Sequence, residues 1–283
     1  MKPVEWIEAH RLPVGPYAQG LVDWLTGNLS GLFDAVQRGL EAFIGAILFV
    51  LQAPHAFVVI GAFALVSFLS RRSPGLVLLT VGGLLLIVNL GFWKDTTETL
   101  ALVIASTAVS MLIGVPVGIA AARRPWLYKA LRPVLDLMQT IPTFVYLIPA
   151  LILFGLGMVP GLVATVIFAL PAPIRLTRLG IASTPGQLVE AGDAFGATPL
   201  QRLFKVEIPY ALPQILAGLT QTIMLSLSMV VIAALVGAPG LGVPVLRALN
   251  SINVGKGFEA GLAIVLLAII LDRLFPGEEA GRA

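Results

Sequence analysis

The sequence contains no cysteine, only two histidines and few charged residues. Without cysteine the chain forms no disulfide and no cysteine-ligated metal site. His10 and His55 are too few for a histidine metal cluster. Charged residues make up 12% of the 283 residues, about half the fraction found in soluble domains. These absences exclude an ordinary soluble protein, and we expect no metal site.

Sequence motifs for ATP hydrolysis and for catalysis inside a membrane are also lacking. No Gly-x-x-x-x-Gly-Lys-Ser/Thr phosphate loop is present, and the glycine-rich stretch 237–242 has no strand-turn-helix context. An intramembrane enzyme would need a serine or aspartate pair, or a metal-binding motif, at membrane depth. No such constellation stands out, so we expect no catalytic residues.

Long apolar runs dominate the sequence. Runs of 18 or more residues recur, and each is long enough to cross about 30 Å of hydrocarbon as a helix. The pattern predicts an all-α polytopic membrane protein. The predicted fold has seven transmembrane helices, over 54–70, 75–93, 98–122, 140–158, 160–180, 211–236 and 258–275.

Basic residues are concentrated in alternate loops. They follow the first, third and fifth predicted spans and are Arg71, Arg72, Arg123, Arg124, Lys129, Arg132, Arg175, Arg178, Arg202 and Lys205. The positive-inside rule places these loops in the cytoplasm, so the N-terminus is predicted outside and the C-terminus inside. The predicted organisation is a transmembrane domain over 54–275 with a cytoplasmic loop over 181–209, then a cytoplasmic tail over 276–283.

Residues 1–53 form a separate predicted segment. Apolar residues such as Leu21, Leu25 and Leu32 recur at roughly helical spacing, which predicts an amphipathic helix on the outer membrane surface. The apolar run 42–53 is short for a span. If it did cross the membrane, the N-terminus would lie inside instead.

The stretch EAGDAFGATPLQRLFKVEIP, residues 190–209, is a polar island in this apolar chain. Two Thr-Pro-x-Gln units, at 184–187 and 198–201, each predict a helix that starts with a capping box. Gly196 between them suits a left-handed turn, and Pro209 is expected to end the second helix.

The predicted result is a pair of short helices with a sharp turn between them. The first would expose Glu190 and Asp193 alongside Ala191, Ala194 and Phe195. Capping boxes show where helices start and not what they touch. Two amphipathic helices resting on the membrane, and a helix that docks into a partner's groove, therefore both remain open.

The polar island resembles the coupling loop of bacterial ABC-importer permeases. Their pattern is Glu-Ala-Ala, three residues, Gly, nine residues, Ile-x-Leu-Pro, and this chain departs from it at Gly192, Val206 and Ile208. The stretches LRPVLDLMQTIPTFVYLIPALILFGLGMVPGLVATVIFALPAPIRLT and LSLSMVVIAALVGAPGLG resemble glycine betaine/proline permeases of osmoprotectant importers and their choline relatives. The resemblance covers residues 54–275. The stretch RRPWLYKALRPVLDLMQTIPTFVYLIPALILFGLGMVPG leans toward the choline branch but does not separate choline from betaine.

This resemblance implies a type I ABC-importer permease fold in a bacterial inner membrane. Two permease chains would form the pore, with two separate ATPase subunits that bind ATP and magnesium inside and a substrate-binding protein outside. No cofactor is implied in this chain. The polar island would dock into the ATPase through Glu190, Ala191, Gly192 and Gly196.

Aromatic and polar residues of the middle spans are candidates for the translocation pathway. A quaternary ammonium group is held by aromatic faces, which points to Phe144, Tyr146 and Phe168, and Gln221 and Ser228 offer polar groups. The alternative is ordinary packing, since aromatic residues in membrane helices are more often packing or interface residues.

Prolines interrupt two of the predicted spans. Pro142 and Pro149 fall in the fourth, and Pro171 and Pro173 fall in the fifth. Each removes a backbone donor and bends its helix. We expect these spans either to flex around the pore during gating or to carry static kinks that shape packing.

An ion-driven secondary transporter of small osmolytes is the main alternative. Proton coupling usually needs ionisable residues inside the membrane, and none lies at the centre of a predicted span. A purely structural membrane anchor would not explain the capped polar island.

Overall fold

The computed structural model describes residues 13–274, and every regular element in that range is helical, as predicted. The helices are α1 (Val14–Gln52), α2 (Ala56–Arg71), α3 (Pro74–Asn89), α4 (Trp93–Arg123), α5 (Pro125–Thr140), α6 (Thr143–Phe154), α7 (Met158–Ala169), α8 (Pro171–Ala182), α9 (Gly186–Ala194), α10 (Pro199–Arg202), α11 (Ile208–Ser228), α12 (Val230–Ala234), α13 (Gly242–Asn250) and α14 (Val254–Leu274). A π-helical turn, Leu203–Glu207, joins α10 to α11. His10 and the predicted tail 276–283 lie outside the described residues.

Three stretches are long and apolar enough to cross a membrane, judged by length and composition. They are Trp93–Arg123, Met158–Ala182 and Val254–Leu274, and they coincide with the predicted spans 98–122, 160–180 and 258–275, apart from residue 275, which lies outside the described range. Two bent pairs would each add one span: α1 with α2, bent by 97°, and α5 with α6, bent by 94°. The described residues therefore support three to five spans.

The sequence predicts seven spans, which is more than this number, and two of the predicted spans correspond to short helices. Helices α2 and α3 have 16 residues each, so each is about 24 Å long and shorter than the hydrocarbon core of about 30 Å. The helix predicted over 211–236 ends at Ser228, but α11 has 21 residues, as many as α14, so its length does not exclude a span.

Helix α1 (Val14–Gln52) covers most of the predicted segment 1–53, and its last turns belong to the core. Ile44 and Leu51 are buried, and the Gln52 Nε2 atom donates a hydrogen bond to the Thr97 hydroxyl at 2.9 Å. The first half of α1 is mostly exposed, and its helical angles are interrupted at Leu29. The predicted boundary at residue 53 therefore does not separate two packing units.

Small residues bring α4, α8 and α11 into close contact. A Cβ atom added at Gly118 of α4 would lie 2.7 Å from Thr177 Cβ of α8, and one added at Gly180 of α8 would lie 2.9 Å from Ala211 Cβ of α11. Side chains this small let helix backbones approach closely in membranes. The three helices therefore form a tightly packed unit.

The polar island and the glycine-rich stretch lie at opposite ends of α4. The Leu241 backbone amide donates to the Thr99 hydroxyl at 2.8 Å near the start of α4, whereas Arg123 at its end contacts the polar island. These two positions are about 36 Å apart along the helix. The stretch 237–242 is a loop that leads into α13, in line with its interpretation as a loop.

The four proline positions differ in their local structure. Pro142 stands at the sharp bend between α5 and α6. Pro171 is the first residue of α8, but Leu170 keeps helical angles and Met158–Ala182 acts as one span. Pro149 lies inside α6 and Pro173 inside α8, where the described helices continue without a break. The predicted interruptions at Pro149 and Pro173 are therefore not present.

Candidate functional site

The polar loop, defined here as residues 181–209, contains α9, α10 and the π-helical turn. Helix α9 ends in a left-handed turn at Gly196, whose φ is +75°. The Gly196 amide donates to the Asp193 carbonyl at 2.9 Å and the Ala197 amide to the Gly192 carbonyl at 3.0 Å. This closure is a Schellman-type turn, and it confirms the turn predicted from Gly196.

The capping box predicted at Thr198 is present, but the one predicted at Thr184 is not. The Gln201 amide donates to the Thr198 hydroxyl at 3.3 Å, and the Thr198 amide donates to the Gln201 side chain at 2.9 Å. Thr184 instead continues the last turn of α8, where its amide donates to the Ile181 carbonyl. Its hydroxyl is buried without a hydrogen-bond partner among the described residues, and α9 starts one residue later, after Pro185.

The second short helix does not end before Pro209, contrary to the sequence-based expectation. The chain passes through the π-helical turn, in which the Ile208 amide donates to the Leu203 carbonyl, directly into α11. Proline has no amide hydrogen for the carbonyl four residues earlier, and its ring clashes with that carbonyl. A wider turn before Pro209 relieves this clash, so the polar loop is joined to α11 by continuous helix.

The outer face of the polar loop is exposed as predicted. Glu190, Ala191, Asp193 and Ala194 are all exposed, and the Phe195 side chain is 92% exposed. Large apolar side chains are also exposed nearby, at Leu188, Leu200 and Phe204. An apolar surface beside an acidic residue is suited to docking into a partner's groove.

Four charged side chains, among them the exposed Asp193, form an ion network that runs from this face toward α4. Arg202 donates to both oxygens of Asp193, at 3.1 and 3.0 Å, and through Nε to Glu207 Oε1 at 3.0 Å. Arg123, at the end of α4, donates to Glu207 Oε2 at 3.2 Å and to the Pro199 carbonyl at 3.1 Å. The network therefore connects α9, α10 and the π-helical turn to a membrane helix.

Glu207 is the centre of this network. Its side chain is only 8% exposed, and each of its oxygens accepts from a different arginine. Hydrogen bonds to Glu207 and Asp193 raise the pKa of Arg202 above its ordinary value. Removing one partner of a buried ion pair leaves an uncompensated charge and is strongly destabilising, so substitution of Glu207 or of its arginines should perturb the loop.

Arg123, Arg202 and Glu207 were not among the functional residues predicted from the sequence. The sequence indicated Arg123 and Arg202 only as basic residues of predicted cytoplasmic loops, and it predicted no role for Glu207. Glu207 is an isolated acid between Val206 and Ile208, immediately before a long apolar stretch. Because charged residues are almost never fully buried without a partner, that isolation is the signal that points to a pair.

The predicted pathway residues fall into two groups. Tyr146 and Phe168 are half-buried and pack around the same apolar cluster, whose buried members are Leu147, Ala164, Met229 and Val236. Gln221 and Ser228 are exposed on α11, seven residues apart and therefore on one helix face. Phe144 is exposed on α6. Within residues 13–274, no group of three or more His, Cys, Asp or Glu side chains is arranged to hold a metal ion.

Residues 114–276 match the family model described as "Binding-protein-dependent transport system inner membrane component". The chain belongs to this family. The match includes the end of α4, with Arg123, and the whole polar loop, so the site described above lies inside the family's own domain.

Relatives match over nearly the whole chain. The glycine betaine transport system permease protein OpuAB of Bacillus subtilis is 49% identical over 93% of this chain and 93% of its own length. The glycine betaine/carnitine transport permease protein GbuB of Listeria monocytogenes is 47% identical over 93% of this chain and 94% of its own. The glycine betaine/proline betaine permease ProW of Escherichia coli is 43% identical over 93% of this chain and 74% of its own.

A solved structure shares the fold. The inward-facing MetNI methionine ABC transporter matches with a TM-score of 0.57 and 26% identity, over 64% of this chain and 90% of its own. Together with the family match, this likeness makes the chain a multi-pass permease of an ABC importer with the type I fold. It also excludes the ion-driven secondary transporter that the sequence left as an alternative.

Proposed function

We propose that this permease imports quaternary-amine solutes and that glycine betaine is its main substrate, with choline and proline betaine as related candidates. The observation that carries the proposal is the 43–49% identity to three permeases named for glycine betaine, over 93% of this chain. A match of that extent includes α6, α7 and α11, which carry the candidate pathway residues, as well as the polar loop. The protein would serve osmoprotection from a bacterial inner membrane.

The polar loop is the proposed contact with a separate ATPase that binds ATP and magnesium. Helix α9 would enter a groove of that subunit, with Glu190 and Ala191 on the contact face. Gly196 would set the direction in which the chain leaves the groove, because its φ of +75° defines the turn. At Gly192 the permease pattern has alanine, and an added Cβ would lie 3.8 Å from Val206 Cγ2, an ordinary contact distance.

The pathway is proposed to lie along the exposed face of α11, between two copies of this chain. Gln221 presents an exposed amide there, which is unfavourable against lipid, and Ser228 lies on the same face with its hydroxyl donating to the Met224 carbonyl at 3.0 Å. A second copy facing this surface would enclose them in a shared pore. Phe144, Tyr146 and Phe168 would provide aromatic faces for a trimethylammonium group, worth about 0.5–2 kcal/mol each.

The proposed topology places the polar loop in the cytoplasm, the N-terminus outside and the C-terminus inside. Support comes from Arg123 at the end of α4, which contacts the polar loop, and from Arg124 just after it, since basic loops favour the cytoplasmic side. A substrate-binding protein would dock at the opposite end, where α13 and the loop 237–242 lie.

The proposal is tested with the complex purified from its native membrane in mild detergent and reconstituted into vesicles. We expect a P-loop ATPase to co-purify, and labelled glycine betaine to enter only with ATP. Excess choline should compete for uptake, whereas excess glycine, which has no quaternary ammonium, should not. Uptake without ATP, or equal competition by glycine, would contradict the proposal.

The docking role of α9 is tested with Glu190→Lys. This variant should insert into the membrane normally but lose both the co-purifying ATPase and uptake. Asp34→Lys is the matched control, because it makes the same charge change at an exposed position of α1. If Glu190→Lys transports like the unmodified protein, Glu190 has no part in docking.

A further inference from the structure

The polar loop is connected to the membrane helices in two physically different ways. One connection is covalent: the chain enters the loop from α8 and leaves it through the π-helical turn into α11, so any displacement of the loop acts on both helices directly. The other is ionic: Glu207 pairs with Arg123, which lies at the end of α4 and 84 residues earlier in the sequence. The first follows from chain continuity, and the second exists only because of folding.

The ionic connection is built to hold its geometry. Glu207 is buried, and its two oxygens are divided between Arg202 and Arg123. The Arg202 Nη1 atom in turn donates to both oxygens of Asp193 on α9, at 3.1 and 3.0 Å, so one guanidinium joins both carboxylates. Arg123 has a second contact, with the Pro199 carbonyl at the start of α10.

We propose that the series Asp193–Arg202–Glu207–Arg123 transmits displacement of the docked helix α9 to the end of α4. Arg123 and Glu207 are positioning residues, which act through the helices they join and touch neither ATP nor substrate. The inference rests on the proposed docking of α9 to an ATPase, and it adds the path by which docking reaches α4, a membrane helix that does not adjoin the loop in sequence.

The close packing of α4 against α8 means that a displacement of α4 also acts on α8. Pro173 and Thr177 of α8 lie so close to Gly114 and Gly118 that a Cβ at either glycine would be within 3 Å of them. Interiors packed this closely transmit displacement instead of absorbing it. A shift of Arg123 would therefore act on α4 while it is packed against α8, and α8 and α11 receive the displacement of the loop through the backbone.

The test compares Arg123→Gln and Glu207→Gln with Arg124→Gln in the purified, reconstituted complex. Arg124 is the neighbouring exposed arginine and makes no ion pair within the described range, so its variant removes the same charge without touching the network. The measured quantity is glycine betaine taken up per ATP hydrolysed. We expect Arg123→Gln and Glu207→Gln to reduce this ratio at least about fivefold, with the ATPase still bound, and Arg124→Gln to leave it unchanged.

Two further variants separate transmission from simple stabilisation of the loop. The double variant Arg123→Gln with Glu207→Gln should lose no more than either single variant if the pair acts as a unit. Arg123→Lys keeps the charge and should recover part of the ratio. If Arg123→Gln fails to fold, Asp193→Asn interrupts the same series at an exposed carboxylate and should reduce the ratio too.

The possible failures are distinguishable. If the unmodified complex shows no ATP-dependent uptake, the proposed function fails. If it transports normally while Arg123→Gln and Asp193→Asn keep the unmodified ratio of uptake to hydrolysis, the network is structural and the inference is overturned. Loss of the bound ATPase in Arg123→Gln would also overturn it, because the network would then shape the docking surface only.

Discussion

Gly118 of α4 and Thr177 of α8 are in direct contact: a Cβ atom at position 118 would lie 2.7 Å from Thr177 Cβ and 2.8 Å from the Ile174 carbonyl oxygen. Because one of these neighbours is backbone, no rotamer change makes room for a larger side chain. The contact therefore sets the distance between α4 and α8, the two helices that end at the polar loop.

Gly118→Ala should destabilise the protein. The added methyl group must push α4 away from α8, and overpacking of this kind costs about 1–3 kcal/mol. Gly61→Ala in α2 is the matched control, because nothing lies within 4 Å of its added Cβ and alanine favours the helix by up to about 1 kcal/mol. Thermal unfolding in detergent should show a lower Tm for Gly118→Ala only, and equal Tm values would contradict the contact.

Alanine substitutions at the two glycines of the polar loop should differ in their effect on uptake. Gly192→Ala restores the permease pattern, makes an ordinary contact with Val206 and should keep full uptake. Gly196→Ala forces a side chain into left-handed geometry, at about 1–2 kcal/mol, and should reduce uptake. Uptake by the two variants in vesicles checks the prediction. Full activity of Gly196→Ala would show that the turn does not direct docking.

Removing the cap at Thr198 should loosen the polar loop. Thr198→Ala loses the hydrogen bond from the Gln201 amide, a change worth about 1 kcal/mol. Tryptic cleavage after Arg202 or Lys205 should then be about fivefold faster, since it tracks the open population. Thr184→Ala is the comparison, because its hydroxyl makes no hydrogen bond among the described residues. Equal cleavage rates in both variants would argue against the cap.

The orientation of the chain can be measured with single cysteines, because the sequence contains none. Ala194 on α9 is exposed, and Ile252 between α13 and α14 is 86% exposed. In intact cells, a membrane-impermeant thiol reagent should label Ile252→Cys, whereas Ala194→Cys should react only after the membrane is opened. The reverse pattern would invert the proposed topology.

Features that depend on neighbouring residues were predictable from the sequence. The left-handed turn at Gly196 and the capping box at Thr198 are set by residues within a few positions. The capping box predicted at Thr184 is not present because the last turn of α8 already engages the Thr184 amide. The helix end predicted before Pro209 is not present because a π-helical turn accommodates the proline ring. In both places the backbone hydrogen bonds of the preceding turn outweighed the preference of the motif.

The sequence by itself determined that this is an all-helical membrane protein with an exposed polar loop, because apolar length and capping chemistry act locally along the chain. Only the tertiary structure decided that the last turns of α1 join the core, that α4 approaches α8 at Gly118, and that Glu207 pairs with Arg123 from 84 residues away. The physical reason is that these contacts depend on how helices pack. A buried charge in the sequence indicates that a partner must exist, and the fold selects which one.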